Sequence, residues 1–261
     1  MLARLLTRPY PSRHDRPLVL GHRGASADAP ENTLAAFREA VRQGADGVEL
    51  DVMRCGSGEL VVCHDEWLDR LAGEHLEVAR TPLVALRRLD VGSRHSARFT
   101  GERIPTLAEA LAVLPRAAVC NVEIKCDTLL DRGLSFRVAR EIRRSEAGQD
   151  LVLSSFNPLS LARARFFAPR LPAALLVDTS QNLPLREAAA RALGAAAVHV
   201  EHRLCTPDSV RRWHRQGFKV AAWTVDEPGD VERCCAAGVD VLISNRPRAV
   251  LVSIDRLGIA D

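Results

Sequence analysis

The chain has 261 residues, 47% of them hydrophobic, and a formal net charge of +3. That length suits one α/β-barrel-sized domain with an ample core, while dispersed basic residues and only 4% aromatics exclude a nucleic-acid groove or stacking platform and point to a small-molecule partner. No apolar run is long enough to span a bilayer, and the seven cysteines form no Cys-x-x-Cys pair or zinc-like spacing, so the expectation is a cytoplasmic protein with reduced thiols and no stable membrane insertion.

Residues 1–17 read as an N-terminal arm, in which Leu2, Leu5 and Leu6 make a brief amphipathic turn that Pro9 and Pro11 stop. A single domain then runs over 18–261. Its first strand, Leu18–Gly21, leads into His22-Arg23-Gly24, and Pro30-Glu31-Asn32-Thr33 opens a helix over Thr33–Gln43 that Asn32 or Thr33 caps. The second strand, Ala45–Val52, carries the most informative feature of the chain. Glu49 and Asp51 lie two residues apart, so both side chains leave one face while Val48, Leu50 and Val52 leave the other. Two carboxylates that close are costly to desolvate unless a cation joins them, which points to a hard metal ion bound by oxygen.

An extra strand over Leu60–His64 follows, with Cys63 and His64 on opposite faces and so not ligands of one metal. The segment from Glu66 to Pro105 (66–105) is too long for an ordinary βα connection and reads as an insertion forming a lip over the barrel mouth. Its Arg80, Arg87, Arg88, Arg94, Arg98 and Arg103 outnumber the large apolar Trp67 and Phe99, which favours short, water-soluble substrates over lipid chains. On the third strand, Ala118–Lys125, Glu123 and Lys125 share a face. The chain uses Lys only at positions 125 and 219 and Arg everywhere else, so a compact ammonium is selected beside Glu123.

Further strands at Leu151–Ser155, Ala173–Val177, Ala197–Val200, Lys219–Val225 and Val241–Ser244 alternate with helices over Leu129–Ser145, Leu159–Phe167, Leu183–Leu193, Pro207–Gln216 and Asp230–Ala237. Gly44, Gly217 and Gly238 sit at expected helix stops. Eight strand-then-helix repeats predict an α/β fold, a (β/α)8 TIM barrel with a small insertion after the second strand. The motifs fall at C-terminal strand ends, the face where barrel enzymes do their chemistry.

Taken together, His22-Arg23-Gly24, Pro30-Glu31-Asn32-Thr33, Glu49-Leu50-Asp51, His64-Asp65, Glu123-Ile124-Lys125 and Trp223-Thr224-Val225-Asp226 resemble, in order and spacing, the glycerophosphodiester phosphodiesterases over about residues 18–250. The resemblance implies hydrolysis of a glycerophosphodiester to glycerol 3-phosphate and an alcohol. It implies a divalent metal on Glu49, Asp51 and Glu123, Mg²⁺ favoured and Ca²⁺ the alternative, with His22 and His64 as acid and base in either order. Arg23 and Lys125 would bind the phosphate. Trp223, alternating inward with Ala221 and Val225, would wall the glycerol backbone, with Glu31 and Asn32 in support and Asp226 without a role. In this family the glycerol hydroxyl next to the phosphate can be the nucleophile, giving a cyclic phosphate that water later opens. Two alternatives use the same residues: a lysophospholipid-type phosphodiesterase and a non-catalytic barrel that binds phosphorylated ligands. His14, His75, His95, His199, His202 and His214 read as surface or core residues.

Overall fold

The computed structural model describes residues 10–11, 16–126, 128, 131–145 and 149–259. The expected turn at Leu2, Leu5 and Leu6 and the residue His14 lie outside them. The strands are β1 (Leu18–His22), β2 (Gly47–Arg54), β3 (Leu60–Val62), β4 (Val119–Ile124), β5 (Asp150–Ser155), β6 (Ala173–Val177), β7 (Ala197–Glu201), β8 (Lys219–Trp223) and β9 (Val241–Ser244). All but β3 pair in parallel with both neighbours, and β1 pairs with both β9 and β2, so eight strands close into a barrel. β3 runs antiparallel against the end of β2, from Val52 opposite Val62 to Arg54 opposite Leu60. The predicted TIM barrel with an insertion after its second strand is the fold observed.

Helices cover the barrel as α1 (Leu34–Arg42), α4 (Leu107–Val113), α5 (Leu134–Arg144), α6 (Pro158–Phe167), α7 (Leu183–Leu193), α8 (Pro207–Arg215), α9 (Pro228–Ala237) and α10 (Pro247–Arg256), while α2 (Asp69–Ala72) and α3 (Leu83–Leu86) belong to the insertion. Two boundaries differ instructively from the sequence reading. The helix expected from 129 begins at Leu134, because the Asp131 carboxylate accepts from the backbone N–H of Gly133 and Ser135 and sets the first turn there. The helix expected from Asp230 begins at Pro228, whose fixed φ and missing N–H suit a first helical position. Thr33, not Asn32, caps α1 by accepting from the Ala36 N–H. Among the described residues, no helix is long and apolar enough to cross a membrane.

The two-residue alternation partitions the strands into two cores. Val48, Leu50 and Val52 of β2 and Cys120, Val122 and Ile124 of β4 join the large apolar layer between barrel and helices. Leu18 and Leu20, Val119, Val152, Ala174, Ala197, Ala221, Val241 and Ile243 face inward and fill the barrel. Trp223 packs against this inner cluster, but β8 ends there and Val225 joins the outer layer, so the inward alternation expected through Val225 stops one step early. The insertion has a small core of its own, in which Cys55, Val61, Cys63, Leu68, Val78, Leu86, Val91 and Ile104 are buried. It is a packed cap on the barrel rim, built on the end of β2.

Candidate active site

Parallel register brings the carboxylates together at the C-terminal end of the barrel. Glu49 on β2 pairs with His22 on β1 and Asn121 on β4, and Asp51 pairs with Glu123 one layer higher. One oxygen from each of Glu49, Asp51 and Glu123 lies within 4.8 Å of the others. Glu49 and Asp51 are buried. Burial, reinforced by Asp51 and Glu123, pushes Glu49 well above the usual carboxylate range, and burial with Asp51 pushes Glu123 up to about 7. Burial would also raise Asp51, but Lys125, Arg23 and His64 outweigh it and hold that group below its ordinary value. Glu49 Oε1 is buried without a hydrogen-bond partner among the described residues. An orphaned carboxylate oxygen beside two further carboxylates is the donor set a hard divalent cation requires, so the residues fit such an ion.

The loop after β1 wraps this cluster. Arg23 adopts φ 56° and Asn32 φ 57°, a conformation uncommon for residues with a side chain. The turn brings the Arg23 N–H to Glu49 Oε2 at 3.0 Å, and Asn32 exchanges two hydrogen bonds with Asp51, Nδ2 donating to Oδ2 at 2.8 Å and Oδ1 accepting from the Asp51 N–H at 3.3 Å. Gly24 makes the turn possible: a Cβ there would lie 2.6 Å from the Ala36 backbone of α1. The Arg23 guanidinium lies 3.0 Å from Glu31 and 3.2 Å from Asp51.

Each histidine is held by a different partner. The His22 Nδ1 lies 2.8 Å from Asn245 Oδ1. That amide is oriented by Asp226, which accepts from Asn245 Nδ2 at 2.6 Å and from the Asn245 N–H at 2.8 Å, and by Ser26, which donates to Asn245 Oδ1. An amide oxygen only accepts, so Nδ1 carries the proton and Nε2, 4.0 Å from Glu49, presents its lone pair. Burial, followed by the charge of Arg23, lowers the His22 pKa and keeps the ring neutral. His64 follows β3, and its Nδ1 donates to Asp65 at 2.7 Å. Asp65 in turn accepts from Arg70 Nε at 2.7 Å, and the same guanidinium donates to both oxygens of Glu31. One chain of hydrogen bonds therefore links Arg23, Glu31, Arg70, Asp65 and His64.

A cavity of about 70 Å³ collects these groups, with His22, Arg23, Glu49, His64, Glu123 and Lys125 on one side. Lys125 Nζ donates to Glu123 at 2.9 Å and lies 3.7 Å from Asp51. The other side is Phe156, Leu176, Trp223 and Ile243, with the Phe156 and Trp223 rings edge to face at 5.7 Å. Every residue singled out from the sequence therefore lies in this cavity or one contact behind it. Asn121, Asn245 and Arg70 were not singled out, and Asp226, read from the sequence as without a role, is corrected by its two hydrogen bonds to the Asn245 amide that holds His22. Asn121 was readable, since it lies two residues before Glu123 and must share its face. Its Oδ1, like the Trp223 Nε1, is buried and has no hydrogen-bond partner among the described residues.

Comparison with known proteins finds relatives that span nearly the whole chain. Residues 22–249 match the model of the glycerophosphoryl diester phosphodiesterase family. A glycerophosphodiester phosphodiesterase of Caldanaerobacter subterraneus is 36% identical over 244 residues, covering 93% of this chain and 99% of that protein. A probable glycerophosphodiester phosphodiesterase of Mycobacterium tuberculosis is 35% identical over 248 residues, 88% of this chain and 90% of its own. Among solved structures, an Oleispira antarctica phosphodiesterase in complex with the product sn-glycerol-3-phosphate superposes with a TM-score of 0.85 at 30% identity, covering 92% of this chain and 97% of that one.

Proposed function

The chain belongs to the glycerophosphoryl diester phosphodiesterase family and is a phosphodiesterase of that class, and from this premise we propose that it hydrolyses small glycerophosphodiesters to sn-glycerol 3-phosphate and an alcohol with two histidines and a carboxylate-held divalent cation. The observation that carries the mechanism is the convergence of three carboxylates and two differently tethered imidazoles on one cavity. A cation on Glu49, Asp51 and Glu123, Mg²⁺ by preference and Ca²⁺ as the alternative, would supply Lewis-acid neutralisation of phosphate oxygen charge.

The chain's own residues do the rest. Arg23 and Lys125 surround the phosphate with fixed positive charge, and Glu31 and Asn32 hold Arg23 and Asp51 in place. His22 is the base: as a P–O bond forms to the attacking oxygen, of water or of the neighbouring glycerol hydroxyl, the proton passes to the Nε2 lone pair. His64 is the acid: as the P–O bond to the alcohol breaks, its Nε2 gives a proton to the leaving alkoxide, while Asp65 retains the Nδ1 hydrogen bond. Trp223 and Phe156 cover the carbon skeleton of the glycerol.

The alcohol side is proposed to be short and polar. The groove of about 210 Å³ that continues from Lys125 places Arg54, Glu66, Glu77, Asp131 and Arg132 beside the apolar Met53, Ala79 and Leu134, and it is the charged members that favour a polar group there. Trp67 stacks on His75 and Phe99 packs with His95 and Arg98, and neither ring lines this groove. A cytoplasmic location is part of the proposal and is supported by seven free cysteines, five of them buried.

The test is release of glycerol 3-phosphate from glycerophosphocholine, glycerophosphoethanolamine and a monomeric lysophospholipid, in Mg²⁺, Ca²⁺, Mn²⁺ or chelator. Turnover of the water-soluble diesters that chelator abolishes and added cation restores is expected. Full activity in excess chelator, or preference for the lipid, would overturn the corresponding part.

A further inference from the structure

The basic residues, read from the sequence as dispersed, are in fact enriched in one stretch of the chain. Residues 132–170 contain eight arginines against three acidic residues, a net +5 in a protein whose total is +3. Four of those arginines, Arg137, Arg140, Arg143 and Arg144, come from α5. The helix buries Leu134, Val138, Ala139 and Ile142 against the barrel, so the arginines occupy its outer side. Among the described residues, the side chains of Arg137, Arg140 and Arg144 make no ion pair, and all three line a surface groove of about 440 Å³ that passes Ser57, Glu59 and Glu141.

An aromatic cluster lies on the same pair of helices. Phe136 of α5 and Phe167 of α6 meet edge to face at 4.6 Å, and Phe166 meets Phe167 at 5.2 Å. Phe166 is 81% exposed, Phe136 40% and Phe167 37%. Arg143 donates to the Phe167 carbonyl and ties the two helices together. Three phenylalanines on a soluble helix face have no role in the barrel core, and none lines the catalytic cavity.

We propose that the outer face of α5 and α6 is a docking surface for an anionic lipid bilayer, with the phenylalanines entering the interfacial layer and Arg137, Arg140 and Arg144 contacting lipid phosphates. Charge complementarity selects the occupant: clustered unpaired guanidinium groups repel a second copy of this face and attract a negatively charged surface, and exposed aromatic rings are the side chains that settle at a membrane interface. The contact is peripheral, and the catalytic cavity is separate from it. Its validity does not depend on which cation or head group the enzyme uses.

The experiment is vesicle co-sedimentation of the full chain on phosphatidylcholine and on phosphatidylcholine mixed with phosphatidylglycerol. Binding to the anionic vesicles at least about tenfold stronger than to the neutral ones is expected, falling steeply between low and high salt. The paired variants Phe136→Ser with Phe166→Ser, and Arg140→Glu with Arg144→Glu, should each lose most of that binding. Both should keep kcat/KM on a soluble glycerophosphodiester, which also shows that they fold. Equal binding to both vesicle types overturns the proposal, as does undiminished binding by both variants, which would place the contact elsewhere in the chain. A concentration-dependent dimer dissolved by the phenylalanine variant would assign the face to a second copy, and binding of single-stranded RNA in preference to anionic vesicles would assign it to nucleic acid; either result overturns the bilayer.

Discussion

The two sides of the catalytic cavity are built from the same barrel by opposite choices. On β1, β2 and β4 the inward positions near the mouth are His22, Glu49, Asp51, Asn121 and Glu123, whereas on β6, β8 and β9 they are Leu176, Trp223 and Ile243. The charged side is held by a network that continues through Asn32, Glu31, Asn245 and Arg70, and the apolar side by packing of its rings on each other and on the inner barrel cluster. A glycerophosphodiester has the same asymmetry: an anion that needs charge and proton transfer, and a carbon skeleton that needs only a surface. The difference predicts that substitutions on the charged side lower turnover and those on the apolar side weaken binding.

The largest effect is expected at the carboxylates. Glu49→Gln should lower kcat/KM by about 10³-fold or more, because a lost ligand removes most of the charge neutralisation at the phosphate. Stability should move the other way. Burial and neighbouring carboxylates raise Glu49 and Glu123, the latter to about 7, so in the cation-free protein their protonation supports the folded state below the ordinary 4.5 and that support is lost as pH rises through about 7. The cation-free enzyme should therefore lose melting temperature over that window, and Glu49→Gln should soften the loss. A calorimetric series with and without Mg²⁺ measures both; a cation-free melting temperature that rises with pH there would sink the argument.

Next come the histidines. His22→Ala and His64→Ala should each lower turnover by about 10²-fold or more while divalent-cation binding survives. A smaller loss is expected from Asn245→Leu, which removes the acceptor at His22 Nδ1 and leaves the ring free to take the other tautomer. Isotope-labelled imidazole spectra separate the possibilities: if the Nδ1–H tautomer persisted in that variant with activity reduced, Asn245 would act otherwise than through His22. On the apolar side, Trp223→Ala should raise KM by about fivefold with little change in kcat, in line with about 1 kcal/mol of aromatic contact. A fallen melting temperature with unchanged KM would show that the ring only fills the barrel.

The charged side was the more legible half, and the reason is local. Glu49 with Asp51 and Glu123 with Lys125 are i, i+2 pairs, so strand periodicity alone puts each pair on one face, and parallel register does the rest. The barrel was legible for the same reason, through eight apolar runs separated by helical periods. The rarity of lysine was a weaker guide than its outcome suggests, because the chain's other lysine, Lys219, forms an ordinary ion pair with Asp240. What the sequence hid was long-range. Asn245 meets His22 across 223 positions and Arg70 meets Glu31 across 39, and no local pattern marks either. Val225 misled because alternation says nothing about where a strand stops.

Arg70 offers the finest cut between the parts of the charged side. It is 54% exposed, and its ion pairs with Glu31 and Asp65 are solvent-screened, so Arg70→Gln should cost only about three- to tenfold in kcat. Its geometry allows two routes for that loss. Through Asp65 it would disturb the orientation of His64, and through Glu31 it would disturb Arg23 and the phosphate. A double-mutant cycle separates them, since groups acting through one another are non-additive. If the route is His64, adding Arg70→Gln to His64→Ala should cost nothing further, and if it is Arg23, the two losses should multiply. The first outcome is expected, because the bond from Arg70 to Asp65 is one link from the imidazole, and Arg23 remains anchored by Asp51 at 3.2 Å when Glu31 loosens. Full multiplicativity would instead make the insertion a support for phosphate binding, and would move Glu31 from the rim of the site to its centre.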